Sequence, residues 1–458
     1  MQVINPATEE VIGDVATDTP ETVHQKILQL KAGQNNWKKV SVEERLTCIV
    51  KYGELVQENK EELAAILTSE TGKPIQQSTN EIKGAQDRVD HLRGAAKKWL
   101  QEELVLEHKD MKEFIIYEPL GVIANISAWN FPYNVGYNVF LYALVSGNAV
   151  CYKPSEYASL TGLKIRELLW KAGIPEDVFD CVIGRGEVGE FLLREDLDGY
   201  FFTGSYHTGK YIAEKVASKL VPVQLELGGK DPLYVMDDVS DVKQAAIEAA
   251  VGAFYNNGQS CCAIERIYVQ EGIYDDFVAH FVAEVKSFSI GDPTEKETFV
   301  GPITRHRQMD ILLNQVKDAL EKGSTLHAGG KKIQRKGYYL EPTVLTGVNH
   351  DMLVMQEESF GPIIGIQKVS NDQEALTLMQ DTSYGLTAAV FSSNYDRAQS
   401  IFGELNTGTV YWNCCDRVSP HVPWSGRKNS GLGSTLSAAG IRAFVQPKAY
   451  QVRKWKNP

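Results

Sequence analysis

The chain is 458 residues long, 43% hydrophobic and 23% charged, with a formal net charge of -12. That length exceeds what one hydrophobic core organises, so two domains with a small appendage are expected, and the composition excludes disordered, fibrous and disulfide-framework classes. The acidic balance argues against nucleic acid or an anionic membrane as partner, since both are bound through basic patches; a small molecule fits better.

At the N-terminus, MQVINPATEE has neither the basic nor the apolar region of a signal peptide. No stretch reaches the roughly 18 uninterrupted apolar residues of a membrane helix, so a cytoplasmic location is expected. The first hundred residues read as helices. TPETVHQKILQLKAG opens on a Thr with an acidic first turn, and the run from Ser41 to Lys73 repeats apolar positions at three to four, with Gly53 and Gly72 as interruptions. From residue 114 the pattern switches to short β-branched runs: FIIYEPLGVIANISAW, NAVCYK, VFDCVIG, GYFFTG and PVQLELGG, separated by helical stretches such as LTGLKIRELLWKAG. This alternation predicts βαβ units and a mostly parallel sheet. A second alternating series follows residue 229 and predicts a second α/β domain. The tail AFVQPKAYQVRKW and the segment EHKDMKEFIIYEP read as edge strands able to pair with each other outside the domains and to invite subunit contacts.

Several strand-to-loop junctions carry residues suited to chemistry. In Trp129-Asn130-Phe131-Pro132, an amide held by a rigid aromatic and proline frame is placed to donate to an oxyanion, although the segment alone is also an ordinary turn. Lys153 and Glu156 follow the strand AVCYK, and Gly204-Ser205 joins a strand to a helix, an arrangement able to take ribose hydroxyls and pyrophosphate. The regular G-x-G-x-x-G fingerprint is absent. Glu226, flanked by leucines and followed by Gly228-Gly229, has the apolar setting that raises a carboxyl pKa and suits a general base; an ion-paired structural glutamate fits equally well. Gly258-Gln259-Ser260 leads into Cys261 and Cys262, where alternation sends one thiol into a cleft and the other away without saying which is the nucleophile. The seven cysteines have no C-x-x-C or other metal-ligand spacing, so reduced thiols and no metal site are expected.

In this order, and together with Gly337-Tyr-Tyr-Leu-Glu-Pro-Thr343, Gln356-Glu-Glu358-Ser-Phe360-Gly-Pro362 and Ser430-Gly431-Leu-Gly433, these segments resemble the aldehyde dehydrogenase superfamily over essentially the whole chain. The resemblance implies an α/β protein with a Rossmann-like NAD(P)-binding domain (1–100 and 120–228). It further implies a second α/β catalytic domain (229–430) and a small β oligomerisation arm (101–119 and 440–458) forming a homodimer or homotetramer. It implies Cys261 as nucleophile, Glu226 as activator of the hydrolytic water, and Asn130 with the Cys261 N–H as oxyanion hole. Lys153 and Glu156 then resemble the ribose-binding pair, Gly204, Ser205 and Trp129 the pyrophosphate side, and Glu358 with Phe360 the nicotinamide-ribose clamp. An acid at 156 favours NAD over NADP, with NADP still open. Phe131, Val135, Asn138, Arg417 and Trp424 resemble substrate-tunnel positions, with Val418 beside them, and Arg417 is a candidate for holding an acidic substrate tail.

Two departures stand out. Gly433 is followed by Ser434-Thr435-Leu436 in place of the family's common Arg and acid, which puts a proton-relay acid in doubt. Relatives specific for succinate semialdehyde place arginines where this chain has Asn138 and Tyr255, which weighs against that substrate through those contacts. Other readings are a catalytically inactive relative, a thiol esterase, and a Cys/His peptidase using His207 or His421. Retention of Cys261, Glu226 and Asn130 together weighs against the first, and the cofactor-type loops go unexplained by the last.

Overall fold

In the computed structural model, which describes residues 1–455, the N-terminal hundred residues form four helices. Helix α1 (Pro20–Trp37) starts at a reciprocal capping box between Thr19 and Thr22, and α2 (Val42–Glu58) at another between Ser41 and Glu44. The run expected from Ser41 to Lys73 breaks at Asn59 rather than at Gly53, giving α3 (Lys60–Thr71), because the Asn59 amide bonds the Leu55 carbonyl at 2.7 Å. Gly53 instead lies inside α2, where a Cβ would stand 2.9 Å from Gln86 of α4 (Ile75–Leu100), so it permits close helix packing. Gly72 does end α3, in the left-handed conformation at φ +76°.

Two sheets follow. The first has six strands in the order Gly431–Leu432, Val223–Glu226, Gly199–Thr203, Val122–Ile126, Ala149–Lys153, Phe179–Cys181, parallel except for its first. Helix α5 (Pro132–Val145) joins two of these strands in a βαβ unit, and thirteen of its fourteen residues are buried, from Pro132 to Val145 except Asn134. The second sheet has seven strands in the order Thr325–Ala328, Thr343–Thr346, Ile363–Val369, Arg266–Gln270, Pro232–Val235, Thr387–Phe391, Thr409–Trp412, parallel except for Thr325–Ala328. Strands buried on both faces read as continuous apolar runs, as in Ile123–Ala124 and Leu233–Val235, which explains their clarity in the sequence.

The expected run FIIYEPLGVIANISAW divides at Leu120–Gly121. Its first part belongs to Met111–Pro119 and its second to the six-stranded sheet. Met111–Pro119 is the centre of a separate antiparallel sheet, flanked by Glu103–His108 and by the tail strand Val445–Arg453, which pairs with it over nine residues. Phe114 and Tyr450 stack across that pair at 4.8 Å. Residues 456–458 of the expected arm lie outside the described residues. Among the described residues no helix is long and apolar enough to cross a membrane.

Candidate active site

The carboxyl ends of the parallel strands in the first sheet carry Lys153 and Glu226 as their last residues and Asn130 and Gly204 on the loops that follow, where ligands bind in doubly wound sheets. The Cys261 loop comes from the other side, between the helix Val242–Phe254 and the strand Arg266–Gln270.

That loop is held by amides. Asn256, Asn257 and Gly258 all adopt positive φ, at 53°, 58° and 69°. Asparagine tolerates this conformation better than most residues, and at Gly258 a Cβ would run into the Gly361 carbonyl. Asn256 Nδ2 donates to the carbonyls of Asn130 (3.1 Å) and Gln259 (3.0 Å), and its N–H donates to Gln77 of α4. Asn257 donates to Pro302 O and accepts from Gly301 N–H, while Gln259 Oε1 accepts from Thr304 N–H. The Asn130 amide donates to Gln259 O at 3.1 Å, which ties it to the loop two residues before the thiol.

The two thiols differ sharply. Cys261 is partly exposed, whereas Cys262 is 4% exposed and its Sγ lies 3.2 Å from Asp416 Oδ1, which also accepts from Ser260. The neighbouring Cys261, burial and the Asp416 charge hold the Cys262 thiol well above its ordinary range, so it stays protonated.

Glu226 is 4% exposed, and burial pushes its carboxyl up to about 7. Hydrogen bonds from Thr435 Oγ1 and from Gln224 Nε2 (3.3 Å) oppose that rise. Thr435 reaches it because Gly431–Leu432 pairs antiparallel with the strand that ends in Glu226. Just beyond, a Cβ on Gly228 would fall on the Glu358 carboxyl, and one on Gly229 would stand 3.1 Å from Cys261 O. The glycine pair therefore lets three segments meet. Burial and the Glu265 charge raise the Glu358 carboxyl to about 8. Phe360, at φ +48°, packs edge-on against Trp129 with centroids 5.6 Å apart, and Glu265 anchors its N–H at 2.9 Å. Lys230 Nζ pairs with the same Glu265 at 2.7 Å.

Lys153 is buried, its Nζ donating to Gly184 O at 2.9 Å, while Glu156 is half-buried and accepts from Ser155. Ser205 stands at the exposed N-cap position of the helix Tyr206–Val216 without a side-chain capping bond, and the Gly204 N–H donates to the Glu226 backbone carbonyl, placing this helix start next to Glu226. Phe131 is the residue before α5, and Val135 and Asn138 lie three apart on the helix. Lys73 Nζ lies 3.7 Å above the Phe131 ring and pairs with the buried Glu81, which also accepts the Tyr133 N–H. Trp424 is buried, its N–H and carbonyl bridging to Thr435. Arg417 is exposed, and among the described residues its side chain has no hydrogen bond or ion pair; only its carbonyl is engaged, by Tyr411. Arg417 directly follows Asp416, which bonds Ser260 and Cys262.

The family model for the aldehyde dehydrogenase family matches residues 1–450. The chain belongs to this family. It is an NAD(P)-dependent aldehyde dehydrogenase acting on an aldehyde. Aminoaldehyde dehydrogenase 1 of Pisum sativum, a peroxisomal enzyme, is 34% identical, covering 97% of this chain and 91% of that protein. The betaine aldehyde dehydrogenase of Staphylococcus aureus in complex with NAD+ superposes with a TM-score of 0.95 at 31% identity, over 99% of this chain and 92% of that one. An NADP-dependent enzyme of E. coli gives 0.96 at 30% identity, over 99% and 94%.

In this aldehyde dehydrogenase the sequence reading missed Asn256, Asn257, Thr435 and Arg88, whose Nε donates to Asn138 Oδ1 at 2.7 Å. The Asn-Asn-Gly run is a legible signal of left-handed backbone. Thr435 and Arg88 meet the site only through tertiary pairing and leave no local signal.

Proposed function

We propose that Cys261 is the nucleophile, Glu226 the general base and Asn130 the oxyanion donor in oxidation of an aldehyde to its carboxylic acid. The observation that carries this is the convergence of the three on Gly228-Gly229 and Gln259, with the other thiol locked on Asp416. The Cys261 thiolate adds to the carbonyl carbon, and the oxygen that gains charge is held by the Asn130 amide and the Cys261 N–H. Held by Lys153, Glu156, Glu358 and Phe360, NAD(P) would supply the acceptor for the hydride lost from that carbon, and the acyl group would remain on Cys261 as a thioester. Glu226 takes a proton from water as its oxygen attacks the thioester; the carbon–sulfur bond breaks, releasing the acid and the thiolate.

The residues present fit a dinucleotide. Gly204 and Ser205 offer an open helix start for the pyrophosphate beside Trp129, Lys153 and Glu156 face the adenosine ribose, and Glu358 with Phe360 hold the nicotinamide ribose. The Glu156 carboxylate repels a 2′-phosphate, so NAD is preferred. Purified protein given a panel of aldehydes is expected to raise absorbance at 340 nm, with kcat/KM favouring NAD by about tenfold or more. Equal use of NADP would remove the role given to Glu156, and no reduction of either cofactor would point to a binding role.

We also propose a cytoplasmic homo-oligomer, dimer or tetramer, assembled through the three-stranded arm. Glu103–His108 is exposed along its whole length, with Leu104 and Val105 more than half exposed, and an edge of this kind pairs readily with another copy. Light scattering is expected to give a dimer or tetramer for the wild type and a smaller species for Leu104→Lys/Val105→Lys; a monomeric wild type would exclude the arm's role.

A further inference from the structure

Helix α4 packs against α5 and brings Arg88 to Asn138. Arg88 is 4% exposed. Its Nε donates to Asn138 Oδ1 at 2.7 Å, a bond that fixes the plane of the guanidinium. Neither terminal nitrogen has a hydrogen-bond partner among the described residues, and neither is sealed off, in contrast to the enclosed Nη1 of Arg45. No carboxylate forms an ion pair with it among the described residues; Glu81, Asp87 and Glu226 are near enough for the charges to interact, but Glu81 is paired with Lys73 and the Glu226 oxygen is taken by Thr435 and Gln224. One turn beyond Asn138, the Tyr142 hydroxyl is buried, with the Arg88 charge and the Ser437 backbone acting on it.

A nearly buried cation with two donors left open is unfavourable unless an anion completes it. A guanidinium with its Nε already engaged presents its Nη edge, which matches the two oxygens of a carboxylate. We infer that Arg88, oriented by Asn138, binds the far carboxylate of an aldehyde substrate, so that the preferred substrate class is a short semialdehyde carrying a carboxylate tail. Asn138 has no charge itself, and the cation is supplied to its position from another helix. The inference rests on the proposed site, to which Arg88 is linked by its nearness to the Glu226 carboxyl.

The test compares 4-oxobutanoate with butanal, which has the same chain length and no tail charge, in the wild type, Arg88→Met and Arg88→Lys. Wild-type kcat/KM is expected to favour 4-oxobutanoate. Arg88→Met is expected to lower kcat/KM for 4-oxobutanoate about 30-fold more than for butanal, chiefly through KM, with Arg88→Lys intermediate. An equal fall on both aldehydes together with a displaced pH profile would overturn the inference, since Arg88 would then act only through Glu226. A wild type that prefers butanal would overturn it as well. Calorimetry with succinate and butyrate reads the same contact without turnover. Succinate is expected to bind the wild type more tightly than butyrate and to lose that advantage in Arg88→Met. Equal binding of the two by the wild type would overturn the inference even if the assignment of Cys261 and Glu226 failed and neither aldehyde were oxidised.

Discussion

Replacing Cys261 by alanine is expected to lower aldehyde oxidation on the order of 10⁴-fold or more, because without the sulfur no covalent adduct forms and hydride loss has no tetrahedral precursor. Cys262 offers no rescue. Its thiol lies against Asp416 and is 4% exposed, and ionising it would place a second negative charge beside that carboxyl. The reciprocal variant Cys262→Ala is therefore expected to keep the covalent step, with labelling by a thiol reagent confined to Cys261. Stoichiometric labelling followed by mass mapping checks this, and a Cys261→Ala protein that retained turnover through Cys262 would reverse the assignment.

The second large effect is expected at Glu226. With glutamine there the thioester still forms, but no base draws the proton from water, so kcat falls by roughly 10²- to 10⁴-fold while one equivalent of reduced cofactor appears in a rapid burst. Rapid-mixing absorbance at 340 nm separates burst from steady state; loss of the burst along with the steady state would mean that Glu226 acts before hydride loss. Wild-type kcat is expected to rise with pH through about 7 and then level, because the carboxylate is the working form and burial holds its pKa near 7. Thr435→Val removes a hydrogen bond that favours the carboxylate, so its profile is expected to move to higher pH. Stability changes in the opposite sense. The folded pKa lies above the ordinary value of 4.5, so the unfolded chain ionises first, and the favourable contribution present below about 4.5 is lost as pH rises through about 7. Glu226→Gln is expected to flatten that part of the stability curve.

These residues differ in how far the sequence announces them. Strands buried on both faces, such as Val122–Ile126 and Ala149–Lys153, are legible because their apolar runs end in glycine or polar loops. Glu226 and Asn130 sit at such ends, Cys261 lies on the loop that follows the helix Val242–Phe254, and motif order picks the three out. Arg88 is different. In the sequence it is one charged residue in a helix rich in them, and only its bond to Asn138, fifty positions away, marks it. Thr435 is also silent, because its meeting with Glu226 depends on an antiparallel pairing made by two residues, Gly431 and Leu432. The break at Asn59 shows the same limit on a local scale: α2 and α3 share one apolar period, and one side-chain hydrogen bond to Leu55 divides them. Arg417 marks the converse case, a plausible residue by position whose side chain the fold leaves in solvent.

The run of left-handed residues before Cys261 has a kinetic side. Its hydrogen bonds reach back to Asn130 and Gln77 and forward to Gly301 and Thr304, and the first two span 126 and 179 positions of chain. Contacts so distant close only after large loops have been ordered, so they belong to the late part of assembly. Among the described residues the local bonds of this run join only Asn256 to Gln259, and the rest of its support waits for those partners. During synthesis the cysteine is thus an ordinary thiol on an unstructured segment, and it gains its orientation when the helices of the N-terminal layer and the chain beyond residue 300 close around it. Reactivity is acquired with the finished tertiary structure, which spares the growing chain an oriented nucleophile before there is a pocket to govern what it attacks.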